Sequence, residues 1–402
     1  MKKMIANLCI SLIGLMLVLA ALEGFLRVTH LFGARISWSV PDPVLGWRME
    51  PSKKHWAAEE NSRRIPWQTN RFGYRDKDWT VRKPEGTFRI AVLGDSYVEA
   101  LQVVSDQTFL ALTEKKLSAV LRERPELMNF GRSAFTQTEE LWILQNEVLQ
   151  FSPDMVVVFF FPVNDIYEIA PETSLDRIRP YYRLEAGNLI LDTSFNQTRT
   201  YRLKCLVNPL KHRSVLLSLL TERFTVLRRQ IDLENKVKLQ EKNALEPTLT
   251  LEGYLSLCTQ NPDPLYVRNY ALNKRLLAEM AAFLRPKGIP LLLVSIDLPS
   301  YLPGTEEKWL ALDPAFDSLF FEKDLAAFSK SEGIEFLGLQ NSFREAYSKN
   351  HESLHWQKYE QNIPGKRMET GGHTGHWNDA GHRVVAEALS EKLEFLLTKS
   401  NP

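Results

Sequence analysis

Ile90-Ala91-Val92-Leu93-Gly94-Asp95-Ser96 is the stretch on which the reading of this 402-residue chain turns. Four apolar residues end at a Gly-Asp-Ser turn, and a helix-like stretch follows. A serine at such a strand-to-helix turn has its hydroxyl lifted out of the core, beside a helix N-terminus that favours negative charge. That is how a nucleophile is presented. Gly, Asp and Ser are also the residues that any tight turn prefers, so the tripeptide alone favours a plain turn, and the rest of the chain has to decide.

Further apolar runs at 155–161, 290–295 and 334–337 read as buried strands. Segments 107–124, 138–150, 266–284, 322–331 and 380–397 carry helical periodicity. Strand-helix alternation predicts a parallel sheet covered on both faces, with ligands at the carboxyl ends of the strands. Ser96 and Asn164 would both emerge on that rim.

Three later segments extend the pattern: Asn129-Phe130-Gly131-Arg132-Ser133-Ala134, Pro162-Val163-Asn164-Asp165, and His376-Trp377-Asn378-Asp379-Ala380-Gly381-His382. With Gly94-Asp95-Ser96, and in this order, they resemble the four blocks of the SGNH (GDSL-like) hydrolase superfamily. Upstream, Thr69-Asn70-Arg71-Phe72-Gly73-Tyr74-Arg75-Asp76 followed by Phe88-Arg89-Ile90 resembles the lead-in of membrane-anchored bacterial members. The resemblance brackets residues 69–165 and 268–395. It implies an α/β, flavodoxin-like three-layer sandwich with a central parallel sheet. It also implies Ser96 as nucleophile and His376 as its base. The oxyanion donors would be the backbone N–H groups of Ser96 and Ala134 and the side-chain amide of Asn164, with Asp95, Gly131 and Asp165 in support.

Two departures from the family pattern stand out. Ala134 occupies the place of the second-block glycine, which preserves its N–H provided that the turn does not require positive φ. The aspartate expected two or three residues before the catalytic histidine would fall at Thr374 or His373, and neither is acidic. Asp379-Ala380-Gly381-His382 also fits Asp-x-x-His, so His382 competes for the base. Motif register favours His376, with His382 as a packed or capping residue.

The organisation reads as an anchor (1–28), an irregular Pro- and Trp-bearing extension (29–88), a catalytic domain (89–166 and 266–400) and a mostly helical insertion (167–265). Residues 4–22 are uncharged and mostly apolar, spanning about 28 Å as a helix, close to the hydrocarbon thickness of a bilayer. A cleavable signal peptide is the rival, but the run is long for one and 19–21 lacks the small-residue pattern of a cleavage site. Lys2 and Lys3 against Arg27 and Arg35 nearly tie under the positive-inside rule. The short N-terminal tail favours an extracytoplasmic domain, periplasmic or on the cell surface.

Within the insertion, residues 214–242 read as a long amphipathic helix, with Val215, Leu216, Leu219, Leu220, Phe224, Leu227 and Ile231 on one side. Packing across the core domain is the expectation, and a lid or membrane-surface helix the alternative. Cys205 and Cys258 would form a bridge in an oxidising compartment or stand as buried thiols in the cytosol.

A net charge of +1, with no basic run interleaved with aromatics, argues against nucleic acid as a partner. No metal-type Cys/His spacing or phosphate-binding glycine loop is present, so no cofactor and no metal is expected. The expected partners are an acylated glycan or lipid substrate and the membrane, through residues 4–22. Esterase and acyltransferase share the acyl-enzyme step and are not separated by sequence. A degenerate, non-catalytic glycan-binding or envelope-assembly protein is the reading from another class, made credible by the missing acid.

Overall fold

The computed structural model describes residues 2–29, 31, 38–57, 64–174, 176–243, 253–357 and 374–399. The chain forms two units. One comprises Pro51–Ser174, Tyr181–Leu191 and Thr248–Pro402, and the other Met1–Glu50, Leu175–Pro180 and Asp192–Pro247.

The first of these is built on five strands: β1 (Thr87–Leu93), β2 (Arg124–Asn129), β3 (Met155–Phe160), β4 (Leu291–Ser295) and β5 (Glu335–Gly338). All neighbours pair in parallel, in the order β5-β4-β3-β1-β2. Counted along the sheet this is 2-1-3-4-5, the flavodoxin-like order, whose topological switch point lies between β1 and β3. Every residue of β3 and β4 is buried, as expected of strands covered on both faces. Alternation assigns the faces. Ile90, Val92, Val157, Phe159, Leu292 and Val294 cluster with Phe109, Leu110, Phe343, Val385, Leu389 and Leu393 from helices Phe109–Leu117, Gln340–Asn350 and Asp379–Lys399. On the opposite face Phe160 meets Tyr270 of the helix Pro264–Leu284.

Local chemistry sets where these helices begin. Asp263 accepts the N–H of Leu265 at 2.8 Å with Pro264 in the first turn, and Thr136 and Glu139 form a capping box before Gln137–Ile143.

The second unit contains α1 (Lys2–Thr29), the antiparallel pair Ser39–Asp42 and Gly46–Met49, α2 (Arg199–Lys211) and α3 (Val215–Asn243). α1 is long and apolar enough to cross a membrane, and Leu26 is its buried residue. The long helix expected at 214–242 is α3, and its apolar residues fall into two groups. Val215, Leu216 and Leu219 pack with Leu26 of α1, whereas Leu220, Phe224, Leu227 and Ile231 are exposed. Cys205 is an exposed free thiol, and Cys258, in the sheet-bearing unit, is a buried one.

Candidate active site

β1 runs out at Leu93 directly into the Ser96 turn. A Cβ on Gly94 would meet Val98 Cγ2 at 2.4 Å and Phe159 Cβ at 3.1 Å, so only glycine lets the chain turn this close to the sheet. Asp95 caps the short helix Ser96–Glu99, its carboxylate accepting the N–H of Tyr97 at 2.9 Å. Ser96, the first helical residue, is half-buried. At the far end Ala100 takes a left-handed conformation (φ 56°). Buried Arg75 ties that end down, donating to the carbonyls of Glu99 (2.8 Å), Ala100 and Val103 (2.6 Å). Charge-assisted bonds of this kind are stronger than neutral ones, which gives Arg75 of the lead-in segment a physical task.

The second block is stitched to this turn. Asn129 donates its side-chain amide to Val98 O at 3.0 Å, the Arg132 N–H bonds Gly94 O at 3.0 Å, and Ser133 bonds the Glu99 carboxylate through both its N–H (2.9 Å) and its hydroxyl. The N–H of Gly131 is taken by Asn129 Oδ1 at 2.9 Å, and a Cβ at Gly131 would lie 2.5 Å from Glu99 N. Ala134 is exposed and has φ 63°. It is the third residue of a turn closed by the bond from Phe135 N–H to Arg132 O (3.1 Å). The turn thus takes the positive φ that a glycine would supply without strain. Among the described residues its N–H has no hydrogen-bond acceptor.

His376 arrives from the other end of the chain on a hairpin, β6 (His355–Gln357) paired antiparallel with β7 (Thr374–Trp377). Its Nε2 lies 2.7 Å from Ser96 Oγ, and its ring packs beside Tyr97 with centroids 4.9 Å apart. The residues after it hold it there. Trp377 is fully buried and donates to Asp297 Oδ1 at 2.9 Å. Asn378 caps the terminal helix, accepting the N–H groups of Ala380 (2.9 Å) and Gly381 (3.0 Å).

His382 is placed differently. Its Nδ1 accepts the N–H of Phe109 at 3.1 Å and its ring stacks on that phenylalanine. Burial, with Arg75 and the other histidines adding to it, pushes its pKa down to about 3. It is a neutral buried acceptor capping another helix.

Asn164 sits in the first turn of Pro162–Glu168, with its amide 3.4 Å from Asp95 Oδ2. Asp165 accepts the N–H of Phe161 and the amide of Gln137, each at 2.8 Å. Burial pushes the Asp95 carboxyl up to about 6, opposed by the Tyr97 N–H, the charge of His376 and the Asn164 amide. Glu140 is pushed well above the carboxylate range, first by burial and then by Asp165 and Asp95. Of the two positions where an acid was sought, His373 and the side chain of Thr374 lie outside the described residues.

Sequence reasoning missed a buried cluster beside the hairpin. Asp297, just past β4, faces His355 Nε2 at 3.6 Å, and His355 Nδ1 meets the Tyr301 hydroxyl at 2.6 Å. Burial raises Asp297 to about 7 and lowers His355 to about 3. The signal available in the sequence was an aspartate two residues past a strand, on the rim where ligands gather. A cavity of about 540 Å³ is lined by Trp67, Arg75, Asp76 and Asn129, among others, but by neither Ser96 nor His376.

No family model matches the sequence, and no curated protein matches it. Among solved structures, an α/β-hydrolase enzyme, LAE5, from the metagenome of Lake Arreo, Spain, is similar at 15% identity and TM-score 0.38, over 76% of this chain and 94% of that one. A catalytic mutant of Axe2, an acetylxylan esterase from Geobacillus stearothermophilus, is similar at 12% identity and TM-score 0.38, with the same coverage. A putative lipolytic protein of the G-D-S-L family from Desulfitobacterium hafniense DCB-2 follows at 9% identity and TM-score 0.35, over 76% and 98%. At these values the likeness carries no weight for chemistry, which rests on the geometry above.

Proposed function

We propose that this protein is a serine-dependent ester hydrolase or acyltransferase of SGNH type, anchored by α1 and acting outside the cytoplasm on acyl groups of a glycan or lipid. The observation that carries the reading is the 2.7 Å contact between Ser96 Oγ and His376 Nε2, within the reach needed for proton transfer from a serine to its base. Ser96 Oγ attacks the ester carbonyl as His376 takes its proton. The tetrahedral intermediate collapses when His376 returns that proton to the leaving alcohol, which leaves an acyl-serine. Water or a sugar hydroxyl then attacks the acyl-serine, with His376 accepting and returning its proton in the same way.

The negative charge that develops on the carbonyl oxygen calls for waiting donors. The N–H groups of Ser96 and Ala134 and the Asn164 amide take that role. Only one amide hydrogen of Asn164 is directed to Asp95, which orients the group and leaves the other for substrate. The buried Asp95 carboxyl and the His376 ring act on each other electrostatically, and a negative charge there favours the imidazolium formed on attack.

Full-length protein in detergent is to be assayed for acetate release from p-nitrophenyl acetate, with and without a sugar acceptor, and for fluorophosphonate labelling. Parent protein that labels, with Ser96→Ala unlabelled and inactive, supports the reading; acyl transfer to the sugar selects transferase over hydrolase. Equal labelling of both proteins removes Ser96 from the mechanism, and labelling of neither supports the non-catalytic binding role.

A further inference from the structure

α3 begins at the point where the apolar part of α1 ends. Glu23, the first charged residue after Leu22, accepts the hydroxyl of Ser214 at 2.8 Å and the N–H groups of Val215 and Leu216 at 2.9 Å each, so a carboxylate from α1 caps α3. Arg27 reaches across to Arg213 O at 2.6 Å. Val215, Leu216 and Leu219 then pack with Leu26. These bonds fix the start of α3, and the turn leading from α2, at one end of the apolar segment 4–22.

From there α3 carries a second apolar face, exposed among the described residues. Leu220, Phe224, Leu227 and Ile231 recur at intervals of four, three and four, which places them within about 60° of one another around the helix. They are 56%, 65%, 54% and 49% exposed. Arg223 and Arg228 lie one on each flank of the stripe. α2 repeats the design: Tyr201 and Asn208 form its buried side, and Leu203, Leu206 and Leu210 form an exposed row on the opposite side. Residues 199–213 contain Arg199, Arg202, Lys204, Lys211 and Arg213 and no carboxylate.

We propose that the outer faces of α2 and α3 lie in the interface of the bilayer that α1 spans, engaging anionic lipid headgroups. The inference rests on reading α1 as a membrane span. Apolar rows flanked by cations are what an interfacial helix requires: the leucines and phenylalanine enter the acyl boundary, and the basic side chains stay at headgroup level. Continuity with α1 singles out lipid as the occupant, because Glu23 and Arg27 hold the first turn of α3 at the border of the hydrocarbon segment. Arg199, Arg202 and Arg213 are exposed and complement anionic headgroups, whereas Lys211 is held on Ser39 Oγ at 3.2 Å. The unit would thereby hold the chain close to a membrane-borne acyl substrate.

The test uses the full chain in vesicles of phosphatidylcholine and phosphatidylglycerol, in a Cys9→Ser, Cys205→Ser, Cys258→Ala background. Single cysteines carrying an environment-sensitive fluorophore replace Leu12, Leu206, Phe224, Leu227 and, away from the stripe, Thr225. Brominated lipid should quench the labels at 12, 206, 224 and 227, and aqueous iodide should quench the label at 225. Labels at 206, 224 and 227 that respond to iodide as Thr225 does, while position 12 is quenched by brominated lipid, overturn the proposal and leave the anchor intact. Labels at those three positions shielded from both quenchers mean that protein covers the face, which overturns it as well. Failure of brominated lipid to quench position 12 removes the span, and the interfacial role with it.

Discussion

Ala134→Gly should stabilise this protein, against the usual direction of alanine-to-glycine changes. With φ at 63°, Ala134 pays the clash between Cβ and backbone that makes the left-handed region cost a non-glycine residue about 1–2 kcal/mol. Glycine removes that cost but adds freedom to the unfolded chain, which takes back about 0.5–1 kcal/mol. The balance is a gain of about 0.5–1 kcal/mol, or a rise in melting temperature of about 2 °C for a unit of this size. Gly131, three residues earlier, should behave oppositely. A Cβ there would sit 2.5 Å from Glu99 N and 2.7 Å from Val98 C, both backbone atoms of the Ser96 helix, so Gly131→Ala should cost about 1–3 kcal/mol through forced backbone shifts. Melting of the full chain in detergent, followed by tryptophan fluorescence, reads both changes, and p-nitrophenyl acetate turnover reads the consequence. Ala134→Gly retains the N–H and should keep parental activity, whereas Gly131→Ala should lose activity because the turn that aims Ser96 is displaced. A lower melting temperature for Ala134→Gly, or a Gly131→Ala protein that melts and works like the parent, would refute the backbone assignment and the oxyanion role of Ala134 with it.

His376→Ala should abolish fluorophosphonate labelling, because among the described residues His376 is the group at hydrogen-bond distance to take the Ser96 proton. Asp95→Asn keeps an acceptor for the Tyr97 N–H but removes the charge that favours the His376 imidazolium, so turnover should drop about ten- to a hundred-fold. Because the Asp95 carboxyl titrates near 6, the parental rate should rise as pH climbs through that value, and a profile unchanged in Asp95→Asn would exclude this role. His382 is held at about 3 in the fold against 6.5 when unfolded. Its depressed pKa contributes stability that is present above 6.5 and lost as pH falls, by about 1 kcal/mol between pH 6.5 and about pH 5.5. His382→Gln, which retains an acceptor for Phe109, should therefore lose less stability over that interval in denaturant titrations; equal losses would show that the histidine is not buried neutral.

How much of this was legible in the sequence depended on whether a signal was local. β1, β3, β4 and β5 announce themselves as apolar runs, and the turn from β1 into Ser96 carries its own chemistry. β2 escaped because Arg124, Pro125 and Glu126 interrupt its apolar pattern. Its place explains the tolerance, since β2 is an edge strand, where proline need not donate to a neighbour on its open side. The positive φ of Ala134 had no signal, because alanine does not mark such a position as glycine does. Periodicity in 214–242 reports an apolar face but not what covers it, because a face meant for lipid has the same pattern as one meant for a core.

The missing acid illustrates the same limit at the site itself. Searching two or three residues before His376 assumes that the group assisting a histidine must be its neighbour in sequence, whereas electrostatic assistance needs only proximity in space. Asp95 precedes Ser96 and is separated from His376 by most of the catalytic unit, yet the fold brings its buried carboxyl within the field of that ring. Its effect differs from that of a usual third member. Asp95 spends its oxygens on the Tyr97 N–H and the Asn164 amide, so in the proposed mechanism it would offer charge to the imidazolium and orient the amide assigned to the oxyanion. The hairpin that brings His376 in is pinned separately, by Trp377 on Asp297. On the proposed mechanism, charge and orientation, which one aspartate supplies together in a serine triad, would be divided between Asp95 and the Trp377–Asp297 anchor.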